Sequence, residues 1–161
     1  MKKLSLLLGS LTLLYSCQQK KTAAPPSLKD ANYAKAKSFL GKQNDSAFYY
    51  FNQVAISARD SLQTSYAYNY MAYLQSEEGD HFGSEENLTM SLRYLDTARK
   101  ENYKSLSSTF NELGLTSIQL KNYDNAVTFF DRAIHYSEAS KYRLVFLNNR
   151  ALAAQKKGAY V

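Results

Sequence analysis

In the stretch FNELGLTSIQLKNYDNAVTFFDRAI, Phe110 to Ile134, apolar residues recur at helical spacing on both sides of a turn at Lys121-Asn122, and a glycine interrupts the first half. A glycine inside a helix costs about 1 kcal/mol against alanine, so a helix that keeps one gains something from the missing side chain. Two antiparallel helices can approach closely only where side chains are absent. Gly114 and Ala126 are therefore expected at a helix crossing, with Phe110, Tyr123 and Phe130 filling the space around it. Leu113 and Ala133 belong to the same packing pattern.

Weaker copies lie on both sides. Tyr33 to Ala58 supplies Ala47 and Phe51 at the separation of Ala126 and Phe130, with Val54 where Ala133 falls. Tyr68 to Leu95 has Phe82 in the place of Tyr123, and Glu85 where the packed alanine would stand. Leu147 to Tyr160 copies a first helix and turn, with Ala151 in the role of Gly114 and Tyr160 in that of Tyr123. Asn44, Phe82, Tyr123 and Tyr160 are then equivalent, at steps of 38, 41 and 37 residues. From residue 30 onward no segment alternates as a strand does, so the chain reads as all-α, with helices near 30–40, 44–58, 62–77, 83–99, 103–119, 123–137 and 141–157. Asp60 or Ser61 is suited to cap the third helix, and Ser84 with Glu85 and Glu86 to open the fourth.

The Leu113-Gly114 pair, Tyr123, Ala126, Phe130 and Ala133 stand at the spacing of the tetratricopeptide repeat, and the chain resembles that family. Phe110 replaces the family's usual Trp, and Glu138 its closing Pro. The resemblance implies a superhelix of antiparallel helix pairs over residues 30–161, about three and a half repeats of a unit that is basically about 34 residues long. It also implies that the first helix of each pair lines a concave wall where extended peptides or partner helices lie. Carried over, the wall residues are Tyr68 and Asn69, then Asn111, Leu115 and Gln119, then Asn148, Asn149 and Leu152. Amide side chains can bracket a peptide backbone with one donor and one acceptor each, or can simply be solvated. Relatives that clamp a C-terminal carboxylate place Lys and Arg here, and this chain has Tyr, Asn and Ser instead. The last unit stops after its first helix and Tyr160. Either the chain is the N-terminal part of a longer protein, or the face around Leu147, Leu152 and Ala154 is covered by another chain, its own copy included. Such arrays also resemble the N-terminal sensing halves of sensor histidine kinases and repeat-containing transcriptional regulators.

The first residues form an address label. Lys2 and Lys3 precede the apolar run Leu4 to Leu14, too short to span a bilayer and suited to a secretion signal over residues 1–16. Leu14-Tyr15-Ser16-Cys17 resembles the lipobox of bacterial lipoproteins, which implies acylation of Cys17, the one cysteine in the chain. The alternative is an ordinary cleaved signal with an incidental cysteine. Several acyl chains contribute about 0.8 kcal/mol per buried CH₂, enough for stable attachment. Residues 17–29, polar and containing Pro25-Pro26, read as a tether. By the same resemblance, the absence of Asp after the cysteine and of an acidic run beyond it favours a periplasm-facing anchor in the outer membrane.

The formal charge of +6 is concentrated at this end: Lys2, Lys3, Lys20, Lys21 and Lys29 all precede the first acid, Asp30. The remainder is nearly neutral, so the clustered cations that nucleic acid demands are absent, and no nucleic-acid partner is expected. A lone cysteine supports neither an internal disulfide nor a thiolate zinc site. His81, amid Glu77, Glu78, Asp80, Glu85 and Glu86, lacks the spacing of a calcium loop and reads as a solvated acidic turn. His135 suits the negative end of a helix. There is no glycine-rich phosphate loop and no nucleophile motif, so neither cofactor nor catalysis is expected, and the fourteen tyrosines read as interhelical packing.

Overall fold

Short polar side chains set where the helices begin. Asp30, Asp60, Asp80 and Asn122 each accept a hydrogen bond from a backbone N–H in the first turn that follows, the partners being Asn32, Gln63, Gly83 and Asn125. The computed structural model describes residues 30–138 and 141–159. The helices are α1 (Ala31–Phe39), α2 (Asn44–Ser57), α3 (Ser61–Glu77), α4 (His81–Leu92), α5 (Tyr103–Gln119), α6 (Tyr123–Ser137) and α7 (Arg143–Ala159), with a short 3-10 turn at Lys100–Asn102. No strand occurs among the described residues. The expected signal segment, Cys17, the tether and Tyr160 lie outside them.

Two of the connections are built alike. After α3 the N–H of Asp80 reaches the carbonyl of Gln75 at 2.9 Å, and after α5 the N–H of Asn122 reaches that of Ser117 at 2.8 Å. Both closures need a left-handed residue just before the cap. Gly79 supplies it at φ 83°, and Lys121 adopts it at φ 59°. Each turn thus ends one helix and presents the side chain that starts the next. Turns this short fold successive helices back on each other.

Every helix packs on its neighbour in the chain, most closely α5 on α6, and α3, α5 and α7 also touch one after another. At the α5–α6 contact the ring of Phe130 occupies the space that a side chain at Gly114 would need. A Cβ built there would lie 2.6 Å from the ring's Cε1. Phe110, Leu113, Ala126, Phe130 and Ala133 are all buried around this contact, and Tyr123 is half-buried at the start of α6. Where the first hairpin meets α3, Phe51 of α2 stacks on Tyr70 at 4.7 Å, with Tyr33 of α1 edge-on.

The structure corrects three details of the sequence reading. Phe82 is 76% exposed, so it does not stand where Tyr123 does. Ser84, Leu88 and Ser91 are buried instead, at the spacing of Ala126, Phe130 and Ala133, with α4 starting at His81. Serine serves as the small residue here because its hydroxyl finds a partner: Ser84 meets Thr116 at 3.4 Å and Ser91 meets Ser65 at 2.8 Å. Secondly, the helix expected over 83–99 ends at Leu92. Asp96 turns the chain by accepting the N–H of Ala98, its carbonyl accepts from Asn102, and Leu95 plugs into the core between. Thirdly, Ala151 is exposed, and Ala153 is the small residue of α7 that packs against Ala126 and Phe130.

Gly114→Ala should lower Tm although it improves helix propensity, because overpacking costs about 1–3 kcal/mol against a propensity gain of about 1. A net loss of about 1 kcal/mol corresponds to about 2–4 °C. Gly158→Ala in α7, where a Cβ would meet nothing within 4 Å, should give a small rise. A thermal scan in which Gly114→Ala is the stabilising member of the pair contradicts the close approach.

Candidate functional site

The helices α3, α5 and α7 form one wall, and two cavities open along it. The first, of about 610 Å³, lies among α3, α4 and α5 and is walled by Tyr66, Tyr70, Tyr73, Glu77, Ser84 and Leu88 together with the α5 residues Ser108, Glu112, Leu115 and Gln119. The second, of about 620 Å³, lies between α5 and α7 and is bounded by Lys100, Tyr103, Lys104, Asn111, Tyr136, Tyr142 and Phe146. Ser108 and Glu112 line both, so the two cavities adjoin on the middle of α5.

The lining follows from helical geometry. Positions 108, 112, 115 and 119 fall on one stripe of α5, and Tyr66, Tyr70, Tyr73 and Glu77, each 42 residues earlier, fall on the matching stripe of α3. The same shift relates Ser84, Leu88 and Ser91 to Ala126, Phe130 and Ala133. One register therefore places both the packing and the wall.

Of the wall residues expected from the sequence, Asn69, Leu115 and Gln119 line the first cavity, and Asn111 lines the second. Tyr68, Asn148, Asn149 and Leu152 line neither. Tyr68 stacks on Tyr94 at 5.7 Å, Asn149 donates to the Asn111 side-chain carbonyl at 2.9 Å, and Asn148 and Leu152 are exposed on α7. Asn69 is also part of a polar knot joining three helices. Its amide donates to the Ser65 carbonyl at 3.0 Å and the Ser91 hydroxyl at 2.7 Å, and its side-chain carbonyl accepts from Thr109 at 3.1 Å. That leaves this amide little capacity for a ligand.

The sequence reading missed Tyr66, Tyr70, Tyr73, Glu77, Ser108 and Glu112. A signal was present, since they lie three or four residues from wall positions and from one another. Glu112 stands on the floor where the cavities meet. Its carboxylate remains open to water, yet the protein rising on both sides thins the solvent around it. This desolvation raises its pKa above the ordinary carboxylate range, against the lowering effect of the Asn111 amide 3.2 Å away. Burial, and then the neighbouring Tyr70 and Tyr66, push the Tyr33 phenol up to about 12. Tyr66 accepts a hydrogen bond from Ser105 at 3.2 Å, and Lys37 donates to the Tyr70 hydroxyl at 2.6 Å.

Among the described residues no group of three or more His, Cys, Asp or Glu side chains gathers as a metal site, and no helix is long and apolar enough to cross a membrane. No protein-family model matches the chain, and a comparison with curated proteins gives no match.

Proposed function

We propose that this protein is a lipid-anchored, periplasm-facing interaction module of tetratricopeptide type, without catalysis of its own, that holds an extended segment of a protein partner along the wall of α3, α5 and α7. The observation that carries this reading is the pair of adjoining cavities on the middle of α5, walled by tyrosine rings, hydroxyls and amides. Aromatic rings give contact area to a peptide's side chains, while hydroxyls and amides satisfy its backbone. The repeat assignment is supported by the shared closure of the α3–α4 and α5–α6 turns and by the small-large-small spacing in α2, α4 and α6. The anchor rests on Cys17 at the end of the apolar run, and an outer-membrane position on the residues that follow it.

The groove is tested by selecting peptides from a random library against the full chain carrying Cys17→Ser, and then measuring their binding to the same chain carrying Ser108→Arg. Ser108 is exposed where the cavities adjoin, so the long side chain obstructs both without entering the core. Affinity should fall about tenfold or more, equivalent to about 1.4 kcal/mol. Selected peptides that bind both proteins equally, or a library that yields none, contradict the reading. For the anchor, fractionation of secreting cells should find the native chain in membranes and the Cys17→Ser chain in the soluble fraction. Membrane retention of Cys17→Ser would show that something other than lipid holds it.

A further inference from the structure

We infer that the first cavity selects a partner peptide by an arginine side chain, which it receives among tyrosine rings in a lining whose charged groups are carboxylates. The inference deepens the groove reading above and rests on it. Among the described residues the charged side chains lining this cavity are Glu77, near the C-terminus of α3, and Glu112, in the middle of α5, and no Lys or Arg lines it. The fold as a whole is close to neutral beyond residue 30, so this sign is a property of the cavity and not of the composition. Lys37, at its edge, sits over the Tyr70 ring at 4.6 Å and bonds that residue's hydroxyl, and Phe51 stacks on the same ring at 4.7 Å, so the ring faces left to a ligand are those of the other tyrosines. Tyr66 and Tyr73 complete the aromatic lining, and Tyr73 is 54% exposed.

Such a lining favours guanidinium over ammonium. A planar, weakly hydrated guanidinium can stack on a phenol ring while its N–H groups reach a carboxylate, whereas an ammonium holds its water more tightly. Hydrogen bonds between ionised partners are the stronger ones, and the reduced solvation of Glu112 strengthens its attraction for a cation. A free small cation fits the arrangement less well than a peptide does. The space does not close around one side chain but continues past Ser108 and Glu112 into the second cavity, which gives the rest of an extended chain a course to follow. The second cavity is of different character: Lys100 and Lys104 stand on its rim, with Glu138 3.8 Å from Lys100, so a cation entering there meets like charges that the first cavity lacks.

The test uses the full chain with Cys17→Ser and three end-capped random peptide pools fixed at the central position as Arg, Leu or Glu. Enrichment of the Arg pool over the Glu pool should be about tenfold or more, a ratio that corresponds to one well-placed charged contact. In Glu112→Gln, which keeps the shape and removes the charge, the ratio should fall to about twofold or less. Glu77→Gln, at an exposed position on another helix, gives a second reading that does not depend on how Glu112→Gln folds. Equal enrichment of the three pools overturns the inference while leaving the groove intact. So does an Arg preference that survives both substitutions, because the selecting charge then lies elsewhere. If no pool is enriched at all, the groove reading fails and this inference falls with it.

Discussion

The ring of Phe130 lying where Gly114 has no side chain is the contact on which the rest of the architecture depends. Glycine is a poor helix residue, and its presence in α5 makes physical sense only because α6 comes close enough to use the space. That approach fixes the separation of α5 and α6, and it also fixes their rotation, since the small positions Ala126 and Ala133 must face the same way as Phe130. With α6 held in this register, the stripe of α5 bearing Ser108, Glu112 and Gln119 is left to line the first cavity, and Leu115 on the same stripe also packs against the cluster of Ala126, Phe130 and Ala153. The wall of the groove is what remains when the packing face has been assigned.

The other hairpins solve the same problem with different chemistry. In α4 the small residues are serines: the hydroxyl of Ser84 meets Thr116, and that of Ser91 joins a knot with Ser65, Asn69 and Thr109 that ties α3, α4 and α5 together. A polar knot of this kind is stabilising only when complete, because an unpaired buried hydroxyl or amide costs about 1–3 kcal/mol. Between the first and second hairpins the aromatic pair Phe51 and Tyr70 fills the gap from α2 to α3. Tyrosine serves both sides of the architecture: rings pack inside the hairpins, as Tyr136 does against Phe110 at 5.8 Å, and rings line the cavities, as Tyr66 and Tyr73 do.

Much of the fold was legible in the sequence because helical periodicity is strong from residue 30 onward, and the starts of α2, α5 and α6 fall where the pattern put them. What misled was the search for alanine. Ser84 does the work of Ala126, but serine is read as a cap or turn residue, so the register of α4 slipped and Phe82 was given a buried role. The end of α4 was hidden for a similar reason: Leu95 continues the apolar spacing, yet Asp96 bends the chain through its own side chain. The wall was half legible. Leu115 and Gln119 lie on its stripe, whereas nothing in the sequence around Glu112 distinguishes it from a solvated glutamate on a helix surface. Its significance comes from the walls on either side, which only the packed helices reveal.

Gly114 and Phe130 set this register as a pair, so their energetic coupling is the quantity to measure. Unfolding free energies of the native chain, Gly114→Ala, Phe130→Leu and the double variant form a thermodynamic cycle. Alanine at 114 should be destabilising beside the intact ring and neutral or stabilising once the ring is truncated, with a coupling of about 1 kcal/mol or more, well inside the range found for residues in contact. An equal effect of Gly114→Ala in both backgrounds would mean that the ring does not occupy the glycine's vacant space, and the register that places the groove would lose its foundation.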